Sequence, residues 1–410
     1  MYKKLLIGLI IGILCLSPIA AENWDSFQGG VDHTAYRDED SDFVTNLWTL
    51  NMESPVHSSP AIYKDYLYVV SDTGILKAID METGEVEWDL DLESPTNSSP
   101  IVHKNKLYIG CEDGLKAINI NSHKVIWDYD CDNVASTPFY YKDVIYFGSD
   151  DGHLYGLDED GKVQLNKKLD GELKTSPVVV GDDIYIGSTN GKLYSIGTDK
   201  TKNWEFTTGD AVLSSPTYVN KTVLFGSNDG SIYCLNKSNG DLVWKTDLNN
   251  KVISSPTVDE HDNSVFIGSD EGNMTCLDVR DGTIKWSHSA GDKVRSTAAL
   301  KDKLLAFGSN NGVLYVLNKY TGAEEFTYNP GTVLFNSAIT SSPVINGNSL
   351  FFGDDSGNMY SLNVNKYEVP GSTQMYYSIA ILIIVLVVAI VAVVKIKGRK
   401  WFFPTLFYFF

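Results

Sequence analysis

The chain has 410 residues and a formal charge of −19, from 52 acidic against 33 basic side chains. An acidic field of this size repels nucleic acid and anionic membrane surfaces, and it excludes nucleic acid as a partner. The length exceeds that of an ordinary domain, yet regular all-β folds reach it as one unit.

Residues 1–21 carry Lys3 and Lys4, then the apolar run "LLIGLIIGILCLSPIA" ending in small residues, with Ala21 after it. That order predicts a secretory signal peptide cut near Ala21. Residues 22–44 read as an N-terminal arm. Its acidic run "RDEDSD" at 37–42 offers Asp38, Asp40 and Asp42 but lacks the turn glycine and terminal glutamate of a calcium loop, which favours a solvated arm over a metal site.

Beyond the arm the chain repeats itself. "SSPAI" at 58–62 returns as "SSPIV", "STPFY", "TSPVV", "SSPTY", "SSPTV", "STAAL" and "SSPVI", eight copies about forty residues apart. Each copy leads into an apolar strand such as "YLYVVS", then a turn glycine (Gly74 in the first), then an alternating strand such as "HLYGLD". A second turn precedes a fourth strand bearing Trp88, Trp127, Trp204, Trp244 or Trp286, with Leu165 and Phe326 at that place in the third and seventh copies. Four short antiparallel strands per repeat describe a propeller blade, so residues 45–366 predict an all-β, eight-bladed β-propeller. The last copy stops after its third strand, and "TNLWTL" at 45–50 stands alone ahead of the first. Trp48 is therefore expected to complete the final blade and close the ring.

Residues 367–374 form a linker. The uncharged run at 375–394 is long enough for a helix to cross a hydrocarbon core of ~30 Å and predicts a transmembrane helix. Lys395, Lys397, Arg399 and Lys400 follow it, which places the tail, 395–410, in the cytoplasm and the propeller outside. The expected address is the cell membrane, single-pass.

The repeat resembles the pyrroloquinoline-quinone-type propeller family, whose docking pattern sets a small residue, a glycine six later and a tryptophan four after that. Ala78, Gly84 and Trp88 match it, and Cys234, Gly240 and Trp244 fit with cysteine as the small residue, as do Cys276, Gly282 and Trp286. Ala117 and Trp127 keep it with His123 at the glycine place. The lead-in "WDSFQGGVDHTAY" at 24–36 is similar to that of secreted members. The family includes quinoprotein alcohol dehydrogenases and the propeller lipoprotein of the bacterial outer-membrane assembly machine, so the resemblance implies a fold and leaves function to the site. The enzymes use adjacent cysteines, a calcium site and a catalytic aspartate on long insertions. This sequence has no adjacent cysteines and repeats too short for such insertions. No catalytic, cofactor-binding or metal-ligating residue is therefore assigned, and no cofactor is expected.

Nucleophile elbow, zinc spacing, phosphate loop and dinucleotide fingerprint are all missing from the sequence. The aspartates of turns such as "GSDDG" and "GSDEG" read as turn formers. Cys111 ends a second strand and Cys131 follows the fourth strand of the same blade, which predicts a disulfide between them in an oxidising compartment. Asn220, Asn236 and Asn273 lie in glycosylation sequons, as does Asn97 beside an inner strand.

The residue before each "SSP" enters the channel mouth. Around the ring it reads His57, Asn97, Ala135, Lys174, Leu213, Ile253, Arg295 and Thr340. A mixed basic and apolar mouth formed by His57, Lys174, Leu213, Ile253 and Arg295 suits an acidic or hydrophobic peptide. The expectation is a membrane-anchored, non-catalytic protein-binding or scaffold module. A quinone-dependent dehydrogenase and an envelope assembly factor stand as alternatives.

Overall fold

The computed structural model describes residues 36–37, 45–331 and 336–364. The segments expected to be a signal peptide, a linker, a membrane helix and a tail, and most of the expected arm, lie outside the described residues. Among the described residues every regular element is a strand, and no helix is long and apolar enough to cross a membrane.

Eight four-stranded antiparallel blades follow one another in sequence order. Blade one comprises Ala61–Tyr63, Tyr66–Val70, Ile75–Asp80 and Val86–Asp91, from the channel outward. Its second and third strands are largely buried, whereas the outer strand is exposed or half-buried throughout. That gradient explains why "YLYVV" reads as an apolar run and "VEWDLD" as an alternation. Blade eight takes Val344–Asn346, Ser349–Gly353 and Asn358–Asn363 from the end of the chain and Thr45–Asn51 from its beginning, with Trp48 opposite Ser361. The ring closes as the orphan strand "TNLWTL" requires.

The "SSP" repeat is a double seam. The first hydroxyl ties the innermost strand to the second within a blade: Ser341 Oγ donates to Gly353 O and accepts from Gly353 N, both at 2.8 Å. The second ties blade to blade: Ser59 N donates to Ser99 Oγ at 2.8 Å, Thr297 N to Ser342 Oγ at 2.9 Å, and Ser342 N back to Ser59 Oγ at 3.2 Å. The bonds of Ser341 and the Ser59–Ser99 bond are buried, and the two made by Ser342 are part-buried; a buried backbone N–H left unmet would cost about 1–3 kcal/mol.

The tryptophans staple the rim, and each reaches the following blade. Trp204 Nε1 donates to Lys237 O at 2.9 Å, and a Cβ on Gly240 would lie 2.7 Å from the Trp204 ring. Trp48, Trp127, Trp244 and Trp286 repeat this against Gly84, Gly161, Gly282 and Gly322. These glycines combine positive φ with an indole overhead, two separate reasons for the absence of a side chain. Trp88 meets His123 instead, stacked at 4.7 Å and 16°.

The arm departs from the expectation of a wholly solvated segment. Tyr36–Arg37 forms a fifth strand on blade seven, parallel to Ala299–Lys301 and on its channel side. Blade seven is also the repeat in which Ala298 replaces the proline found at that place in the other seven. Proline at the head of an edge strand discourages further pairing.

Candidate functional site

At the mouth of the channel the three basic ring residues are engaged. Each reaches back to the carboxylate that opens the turn between the second and third strands of the preceding blade. Arg295, entering blade seven, donates from Nε and Nη2 to the two oxygens of Asp270 on blade six, both at 2.8 Å. Lys174, entering blade four, bonds Asp150 on blade three at 3.1 Å and Glu172 at 3.0 Å. His57, entering blade one, spans Asp355 on blade eight at 3.5 Å and Asp72 on its own blade at 2.6 Å. Bonds to Asp355 and then Asp72 hold its pKa up at about 10.

This geometry corrects the picture of a basic mouth waiting for an acidic peptide. The cations are clamps between blades, and four of the five carboxylates in their ring are held by them. The Arg295 pair is the strongest of these by geometry, being bidentate with Asp270 only 6% exposed. The aspartates read from sequence as turn formers are thus also electrostatic partners. Their signal was present: they occupy one fixed repeat position, with the complementary charge one blade later.

Where the ring lacks a cation, acceptors are left over. Ile253 entering blade six and Leu213 entering blade five are half-buried and apolar. The turn residues Asn228 on blade five and Asn310 on blade seven each keep a buried Oδ1 without a hydrogen-bond partner. Blades five to seven therefore present an apolar pair, two orphaned acceptors and one committed arginine. Asn97 is exposed and Ala135 half-buried, while Thr340 donates to Asp355 at 2.8 Å.

The whole of this ring is carried by a repeat that can be compared with known proteins. Residues 44–205 and 198–385 match the profile of the family described as outer membrane protein assembly factor BamB. The chain belongs to this family. No curated protein matches it by sequence. BamB from Moraxella catarrhalis superposes with a TM-score of 0.66 at 16% identity, over 78% of this chain and 100% of that one. The computationally designed Ika8 protein gives 0.69 at 17% identity, over 78% and 99%. Quinohemoprotein alcohol dehydrogenase from Comamonas testosteroni gives 0.71 at 13%, over 85% and 81%. At these identities the likeness is one of fold.

The quinone and calcium that part of this fold family carries do not fit the residues of this mouth. Most ring carboxylates are already neutralised by a neighbouring cation, so among the described residues no open set of hard oxygen donors stands over the channel. The six described tryptophans all lie on outer strands, at the rim.

The cysteines are likewise dispersed. The bond expected between Cys111 and Cys131 is not formed, and all four described cysteines are free thiols. Cys111 packs among Leu92, Ile109 and Ile118, in the cluster between blades one and two. Cys131 packs beside Tyr129 and Phe147, in the cluster between blades two and three. Proximity along the strand was read correctly, but the two side chains serve opposite faces of one blade. Burial pushes both thiols up to about 12. Cys234 and Cys276 stand opposite Trp244 and Trp286, as the docking pattern implies. Of the sequons, Asn97, Asn220 and Asn236 are exposed and Asn273 is half-buried.

Proposed function

We propose that this chain is a non-catalytic peptide-binding propeller, held on a membrane by residues 375–394, that takes apolar extended segments at its channel mouth. The observation that carries the reading is the half-buried apolar pair of Leu213 and Ile253 at the entries of neighbouring blades. Apolar side chains of a peptide would cover the pair. The arrangement favours an apolar partner over an acidic one because the basic residues are already spent.

The alternative role as an envelope assembly factor uses the same surface, since it also requires docking of another protein.

An array of apolar, acidic and basic decapeptides tests the reading on the purified full chain. Apolar peptides are expected to bind saturably, with at least tenfold loss in Ile253→Glu. Equal binding of all classes, or indifference to Ile253→Glu, would overturn it. Alcohol oxidation on addition of pyrroloquinoline quinone and calcium would replace it with the dehydrogenase reading.

A further inference from the structure

We propose that residues 22–35 of this chain dock across the apolar arc of their own channel mouth; the inference rests on reading that arc as a peptide-docking surface. The starting point is the direction of the arm. Tyr36 pairs with Leu300 and Arg37 with Lys301, in parallel. The innermost strand of blade seven runs from Arg295 at the mouth towards the turn at Asp302 on the far side. A parallel neighbour runs the same way, so the chain ahead of Tyr36 comes from the mouth.

The entry point is also specific. The mouth end of blade seven adjoins Ile253 on blade six, and Leu213 on blade five is next in the ring. At about 3.3 Å per extended residue, Val31 can reach ~16 Å from Tyr36 and Phe27 ~30 Å, enough to pass over two neighbouring blades. The segment reads "ENWDSFQGGVDHTA". It brings Trp24, Phe27 and Val31 for the apolar pair.

The consequence is competition. A foreign apolar segment and the chain's own N-terminal segment seek the same surface, and partner binding requires the arm to yield. The effective concentration of a tethered segment is of millimolar order. Weak partners are thereby excluded, and those that bind must outcompete a covalently attached rival.

The test uses the full chain with cysteine pairs under mild oxidation. Phe27→Cys with Ile253→Cys is expected to form an intramolecular disulfide, and Phe27→Cys with Asn97→Cys, across the ring on blade two, at least tenfold less. Equal cross-linking at both places, none at either, or cross-linking only between two chains would overturn the proposal; the last outcome assigns the arc to a second copy. Hydrogen exchange on the unsubstituted chain is an independent measure. Amides of residues 24–31 are expected to exchange at least tenfold faster in Ile253→Glu, and no change would overturn the proposal. If apolar peptides bind the mouth while the cross-link fails, self-docking alone is wrong. If peptides also ignore Ile253→Glu, the reading of the mouth itself is wrong.

Discussion

Replacing Lys319 by methionine should lower the melting temperature by about 6–10 °C. Lys319 follows the third strand of blade seven and reaches back to blade six, where Nζ meets Asp259 at 2.5 Å and Asp262 at 3.3 Å. The side chains of Lys319 and Asp259 are 3% and 0% exposed, so neither charge has water to fall back on. Lys319→Met keeps the chain length and leaves Asp259 as a dry carboxylate, still accepting the His261 N–H at 3.1 Å. Removing one partner from such a pair costs about 3–5 kcal/mol. In a domain of this size each kcal/mol moves the melting point by about 2 °C. The double variant Lys319→Met with Asp259→Asn removes the stranded charge, keeps the acceptor for His261, and should recover most of the loss. Differential scanning fluorimetry on the full chain in detergent measures all three proteins. A single variant melting within about 2 °C of the parent, or a double variant no better than the single, would refute the claim that these charges depend on each other.

Three further outcomes are expected. Gly282→Ala should destabilise by about 2–4 kcal/mol, because φ is +72° and the new Cβ would sit 2.5 Å from Trp244 Cε3, whereas Gly181→Ala, at φ +69° with open space around it, should cost only the backbone part of ~1 kcal/mol; equal melts for the two would remove the docking argument. His57 is raised on folding, so its contribution is complete below its unfolded value of about 6.5 and disappears as pH rises through about 10. The melting difference between the parent and His57→Gln should accordingly shrink over that interval, and a constant difference would show that the imidazolium does not clamp blades eight and one. At pH 8 the native chain should leave Cys111, Cys131, Cys234 and Cys276 unmodified by iodoacetamide, while denaturation exposes all four; a peptide linking Cys111 to Cys131 in mass spectra would contradict the structure.

The blade pattern was legible because its causes are local. A turn glycine with positive φ, an apolar central strand and a fourth strand with one tryptophan each leave a mark within one repeat, and the orphan "TNLWTL" foretold the closure that pairs Trp48 with Ser361. The position before each "SSP" stands at one fixed place in every repeat, at the entry of the innermost strand. What those residues do there was not legible, because the partner of Arg295 is Asp270, on another blade, and the partner of His57 is Asp355 at the far end of the chain. The disulfide expectation failed for a related reason. Strand position brought Cys111 and Cys131 to one edge of the blade, but the face that each side chain serves depends on which neighbouring blade it packs against.

Sequence alone thus determined the repeat, the number of blades and the ring, since each rests on periodicity and on turn chemistry that act within some forty residues. Only the tertiary structure decided which charges are spent and which surface remains open. Packing the blades side by side sets the turn between each blade's second and third strands against the next blade's entry. There, complementary charges cancel at Asp150, Asp270 and Asp355, while the half-buried Leu213 and Ile253 are left without a charged neighbour of their own.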